Sequence, residues 1–170
     1  MSSYTEFDAE LHIKYAVKAS KVLKDDYWVV TKSFNYKLIS LKSKLQVTVP
    51  LGFLTDGASI PWLLRRILPR MGVYSRAATL HDYLCETYYV DQVDVTGNVL
   101  MGPIPVSRKY IDRIFFEALL VDKCPKWKLC LIKLGVNGYR ILARPRGPRI
   151  IEEKKRLETL YAEDLTPKYN

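Results

Sequence analysis

Asp56, His81, Asp82 and Asp112 stand among apolar and aromatic neighbours, where polar side chains must find partners or do chemistry. One imidazole with two or three carboxylates suits a divalent metal whose bound water is activated, or an acid–base pair in which Asp112 orients His81 as general base. Cys85, one helical turn after His81, is a further candidate ligand or a buried structural thiol. No His-x-x-x-His or comparable spacing is present, so the pattern names no metal and no cofactor. Each residue also has a plainer reading. Asp56-Gly57 is a turn dipeptide, His81 a hydrogen-bonded core histidine, and Asp112 the i,i+4 ion partner of Arg108. In that reading Thr55-Asp56 and His81-Asp82 cross-link loop and helices through buried hydrogen bonds.

For the four residues to meet, a loop must lie over two antiparallel helices. Alternating β-type residues at 27–34, 36–41 and 45–49 predict two or three antiparallel strands, with turns at Asn35 and at Lys42-Ser43-Lys44. Residues 50–61 read as a loop with a strand-like middle, and Trp62 to Leu68 as a short helix stopped by Pro69. Apolar spacing then predicts a helix from Ser75, its N-cap, to Tyr88, and a second from the cap Ser107 to about Val121. The inward residues of the second are Ile111, Ile114, Phe115, Ala118 and Leu119. Val95-Thr96-Gly97-Asn98-Val99 marks a hairpin between them. Trp127 to about Leu142 is almost wholly apolar between its lysines, which predicts a helix that is buried or covered by a partner, and Glu152 to Tyr161 predicts a last, charged helix. Strands first and helices after give an α+β class, a small antiparallel sheet from the N-terminal third packed against a helical C-terminal part.

The chain has 170 residues, 48% of them hydrophobic, enough for one domain with a sizeable core. No run of about 18 apolar residues exists, so no transmembrane segment is expected. The first ten residues carry two glutamates and an aspartate and no apolar core, unlike a signal peptide. Three cysteines at irregular spacing argue against a disulfide framework and a structural zinc site, and fit synthesis in a reducing cytoplasm. The net charge of +9 is unevenly placed: residues 126–156 carry ten basic and two acidic side chains, whereas 1–125 carry sixteen and thirteen. Its densest stretch holds Arg140, Arg144, Arg146 and Arg149, broken by Pro145, Gly147 and Pro148. This reads as an extended arm, either a solvated linker or a contact for carboxylate or phosphate through guanidinium forks. Only Tyr139 interleaves with the arginines and no nucleic-acid motif appears, so nucleic acid is the weaker candidate.

Three blocks carry a family resemblance. Val49-Pro50-Leu51-Gly52-Phe53-Leu54-Thr55-Asp56-Gly57-Ala58-Ser59-Ile60-Pro61 resembles the opening signature of the phage-associated domain-of-unknown-function family 1353. Ala77-Ala78-Thr79-Leu80-His81-Asp82-Tyr83-Leu84 and Ser107 to Leu119 agree with it in type and order, and the resemblance spans roughly 27–142. Cys85, where an aromatic is common, and Ile111, where a small residue is common, depart from the pattern, and the 91–105 insert and the basic arm lie outside the usual core. The resemblance implies an origin in tailed-phage or prophage DNA and no settled activity. The expected organisation is an N-terminal segment (1–26), an α+β core (27–142), and a basic arm with a terminal helix (143–170).

The expected function is therefore a virion structural or assembly component of tail, neck or baseplate. It would be made in the host cytoplasm and then sit in the virion, docked to other phage virion proteins. Two alternatives stand beside it: a metal- or acid/base-dependent hydrolase that cleaves cell wall with Asp56, His81, Asp82 and Asp112, and an intracellular nucleic-acid or host-protein binder working through the arginine arm.

Overall fold

In the computed structural model the described residues are 4–40, 43–57, 69–94, 96–143, 147–148 and 151–167. The sheet begins from alternation. In β4 (Phe34–Ser40) Phe34, Tyr36 and Leu38 point into the core, and β5 (Ser43–Val49) answers with Leu45, Val47 and Val49. The antiparallel register sets Phe34 opposite Val49, Tyr36 opposite Val47 and Leu38 opposite Leu45, so one face of the pair is continuously apolar. β1 (Tyr4–Phe7) joins β4, while β7 (Tyr89–Val93) and β8 (Val99–Pro105) extend the other side as a hairpin. The five strands run β1-β4-β5-β7-β8, all antiparallel. A second, three-stranded antiparallel sheet orders β2 (Ile13–Tyr15), β3 (Trp28–Val30) and β6 (Leu54–Thr55).

Helices α2 (Ser75–Thr87) and α3 (Arg108–Val121) lie on the larger sheet. α2 buries Ala77, Ala78, Leu80 and Leu84, and α3 buries the five residues its spacing assigns inward. Ser107 caps α3, its side chain accepting from the Tyr110 amide, and α2 ends where Tyr88 takes a left-handed conformation. α4 (Lys126–Ala143) runs unbroken through Gly135 and Gly138 and packs on α3. α1 (Val17–Leu23) and α5 (Glu152–Leu165) close a smaller core of Ala16, Ala19, Val29, Leu54 and Leu157. The class is α+β, strands largely preceding helices.

Several local expectations change. Asn35 lies inside β4, not in a turn: its side chain takes bonds from Thr48 Oγ1 at 2.6 Å and Gln46 Nε2 at 3.2 Å and donates to Asp8 at 2.6 Å. Ser43 and Lys44 belong to β5. Tyr74, not Ser75, is the N-cap residue of α2, and Ser75 Oγ instead accepts the Gly72 amide at 2.6 Å. The short helix expected at 62–68 falls outside the described residues.

Candidate functional site

The neighbours His81 and Asp82 leave α2 in different directions, as a 100° step requires, and so enter two separate polar clusters. His81 faces α3. Its Nε2 lies 3.1 Å from Asp112 Oδ1, and its ring stacks on Phe115 with centroids 4.4 Å apart. Asp112 is 1% exposed and also accepts from Arg108 Nε at 3.1 Å and from Arg140 Nη1 at 3.1 Å. Arg140 in turn donates to Asn137 Oδ1 at 2.9 Å. One buried carboxylate thus ties α2, α3 and α4 together.

Burial disfavours the charged imidazole and lowers the His81 pKa, against the opposing pull of the Asp112 hydrogen bond. Burial alone pushes Asp112 upward, but the bonds from His81 and Arg108 and the Arg108 charge outweigh it and hold the carboxyl below its ordinary value. The pair is a neutral imidazole donating Nε2–H to a carboxylate. In this tautomer Nδ1 is the ring nitrogen that carries the lone pair. Cys85 Sγ lies 3.6 Å from Nε2, and burial pushes its thiol up to about 12, so it rests as a thiol at neutral pH.

Asp82 faces β6. Thr55 Oγ1 donates to its Oδ2 at 2.5 Å and accepts the Gly57 amide at 3.0 Å, which fixes the chain just after β6. Burial, reinforced by the charge of Asp56, raises the Asp82 pKa well above the ordinary carboxylate value. On the same side Lys154 from α5, only 5% exposed, pairs with Glu86 and lies 3.6 Å from Glu158 and 4.5 Å from the Phe53 ring centroid. Burial opposes its charge, but Glu86 and Glu158 outweigh that and raise its pKa. Glu158 Oε1 also accepts the Leu54 amide at 3.1 Å. Gly52, at φ +85°, lets α5 come this close, since a Cβ there would lie 2.7 Å from Ala162 Cβ.

The four acid–base candidates therefore do not form one centre. His81 and Asp112 meet, Asp82 and Asp56 share the opposite flank, and among the described residues no three His, Cys, Asp or Glu side chains gather to hold a metal. Of the arm residues, Arg140 belongs to α4 and the Asp112 cluster, while Arg144, Arg146 and Arg149 lie outside the described residues. Sequence reasoning missed Lys154 and Glu86. The only signal for Lys154 was its i,i+4 relation to Glu158 on a helix with an apolar Leu157-Tyr161 stripe. An open hollow lies elsewhere, lined by Ile13, Val73, Arg76 and Lys123 among others.

The fold and these cross-links define an α+β domain whose central helix α2 is fastened on one flank to α3 and α4 and on the other to β6 and α5. The chain belongs to the family described as a protein of unknown function, DUF1353, whose pattern matches residues 28–136, from β3 into α4. No curated protein and no solved structure matches it. β1, β2, α1 and α5 lie outside the matched stretch, so Lys154 and Glu158 reach the family region from beyond it.

Among the described residues no helix is long and apolar enough to cross a membrane.

Proposed function

We propose that this protein is an assembly component of a tailed-phage particle, in tail, neck or baseplate, made in the host cytoplasm and docked to neighbouring subunits through α4 and the basic segment after it. The observation that carries the reading is the outward side of α4. Only Ile132 of its eighteen residues is buried, while Trp127, Leu134, Ile141 and Leu142 are exposed. An apolar helix face of this length left in water is a feature of surfaces that are covered in use. Mass spectrometry of purified particles tests it with wild type and Leu134→Asp. Leu134 is 72% exposed, so the change leaves the fold intact. Wild-type chain in the particle and loss of the variant are expected; absence of the wild-type chain from mature particles overturns the reading.

A second reading, hydrolysis of cell wall, draws support from one feature: Asp112 holds His81 Nε2–H, so Nδ1 is positioned as a base. In this scheme Asp112 orients the ring and Nδ1 takes a proton from water, while Asp82, facing Thr55 on the other flank of α2, takes no part. Purified protein incubated with peptidoglycan tests it. Solubilisation that disappears in His81→Gln supports it, and equal release by wild type and variant removes it.

A further inference from the structure

The outward face of α4 carries a pattern that says what covers it. Trp127, Leu131, Leu134, Gly138 and Ile141 follow one another at spacings of four, three, four and three residues. This is the repeat of a helix that packs lengthwise on another helix. Trp127, Leu134 and Ile141 are 51%, 72% and 65% exposed. The inward contact is made by Leu129, Ile132 and Val136, and Leu131, at the edge of the outward row, also packs on the main core. α4 thus has a second apolar stripe that the fold, Leu131 apart, leaves exposed. A Cβ placed on Gly138 would meet nothing within 4 Å, so the row has an open seat for a bulky side chain from outside.

Charge selects the kind of helix. α4 carries Lys126, Lys128, Lys133 and Arg140 and no acidic residue. Arg140 is committed to Asp112, Lys133 lies over the Phe116 ring and Lys128 over Tyr74 and Trp127, so the flanks of the seam are cationic with no acid of α4 among them. A second copy would set these lysines against their own like. A helix with carboxylates flanking its apolar row pairs them instead.

Resting on the docking reading above, we propose that the outward seam of α4 receives an acidic amphipathic helix of another protein, packed along the Trp127–Ile141 row. The experiment uses the full chain and three fluorescein-labelled synthetic helices. Two share a leucine heptad seam, flanked by Glu in one and by Lys in the other; the third keeps the Glu flanks and replaces the seam leucines with Ser. Anisotropy titrations are run at 50 and 300 mM salt, with sedimentation of the protein alone and flotation with phosphatidylglycerol vesicles alongside. Binding of the Glu–Leu helix alone, weakened about tenfold by salt and at least about tenfold by Leu134→Asp, is the expected result. Failure of the Glu–Leu helix to bind overturns the proposal, as does equal binding of the Lys–Leu or Glu–Ser helix. A dimer abolished by Leu134→Asp would assign the seam to a second copy, and Leu134-dependent flotation would assign it to a lipid surface; either overturns the proposal. If Leu134→Asp is lost from particles while the Glu–Leu helix fails, docking stands and the acidic helix falls; if the helix binds but particles lack the chain, the docking reading fails instead.

Discussion

Asp112→Ala removes the acceptor of three charge-assisted hydrogen bonds, each of 3.1 Å, from a side chain 1% exposed. Arg140 is a third exposed and regains water, so its loss adds little. Arg108, with a side chain 14% exposed, and the buried His81 ring remain with unmatched donors. Breaking a buried pair by deleting one partner costs about 3–5 kcal/mol. For a chain of this size that is a fall in Tm of roughly 10 °C or more. Urea titration followed by circular dichroism reads it as a lowered midpoint at unchanged slope. The pH dependence has a definite sign. The folded Asp112 pKa is depressed, so its contribution is full above the unfolded value of about 3.9 and fades as pH falls through the folded value. The gap between wild type and variant should therefore close in strong acid. Asp112→Leu combined with Arg108→Met should recover much of the loss, since a well-packed apolar pair replaces a buried ion pair at little cost. A loss below about 1 kcal/mol for Asp112→Ala would show that this carboxylate does not fasten the three helices.

On the other flank of α2, Gly52→Ala should cost more than about 2 kcal/mol, because it adds a Cβ at φ +85° against Ala162 and Glu158, and limited trypsin digestion should then remove α5 faster. Asp82→Asn should stabilise at neutral pH. The folded pKa is raised, so wild-type stability declines as pH climbs from the unfolded value toward the folded one; the variant lacks that decline and should show a raised Tm near pH 7 that vanishes toward pH 4. With a thiol reagent at neutral pH, exposed Cys130 should react quickly, whereas Cys124 and Cys85, both pushed up by burial, should wait for unfolding.

What the residues disclose in advance follows from how local the cause is. The β7–β8 hairpin, the Ser107 cap and the five inward residues of α3 depend on neighbours within a few positions, and all were legible. Asn35 misled because its turn propensity yields to a cross-strand partner set, Asp8 and Thr48, that no nearby residue announces. Residues 4–23 carry two short strands and a helix that gain their stability from β4, β3 and α5, far away in sequence. At the site, the pairing of His81 with Asp112 was one option among four candidates, open only if α2 and α3 packed side by side. The split between His81 and Asp82 was available from the 100° step, but the partner of Asp82 could not be chosen without the path of β6. Arg140 looked like the start of a solvated arm because its carboxylate lies 28 residues back, on another helix. Lys154 looked like one charge among many because the acids that bury it come from α2 as well as from its own helix.

Docking through α4 is tested most directly by comparing Cys130 in the free chain and in intact phage particles. This thiol is exposed beside the outward seam. Pulse labelling with a maleimide before particle disruption, read by mass spectrometry, gives its reactivity in both states. Rapid labelling of the free chain with at least about tenfold protection in the particle is expected if a neighbouring subunit covers the seam. Equal labelling in both states would contradict docking through α4.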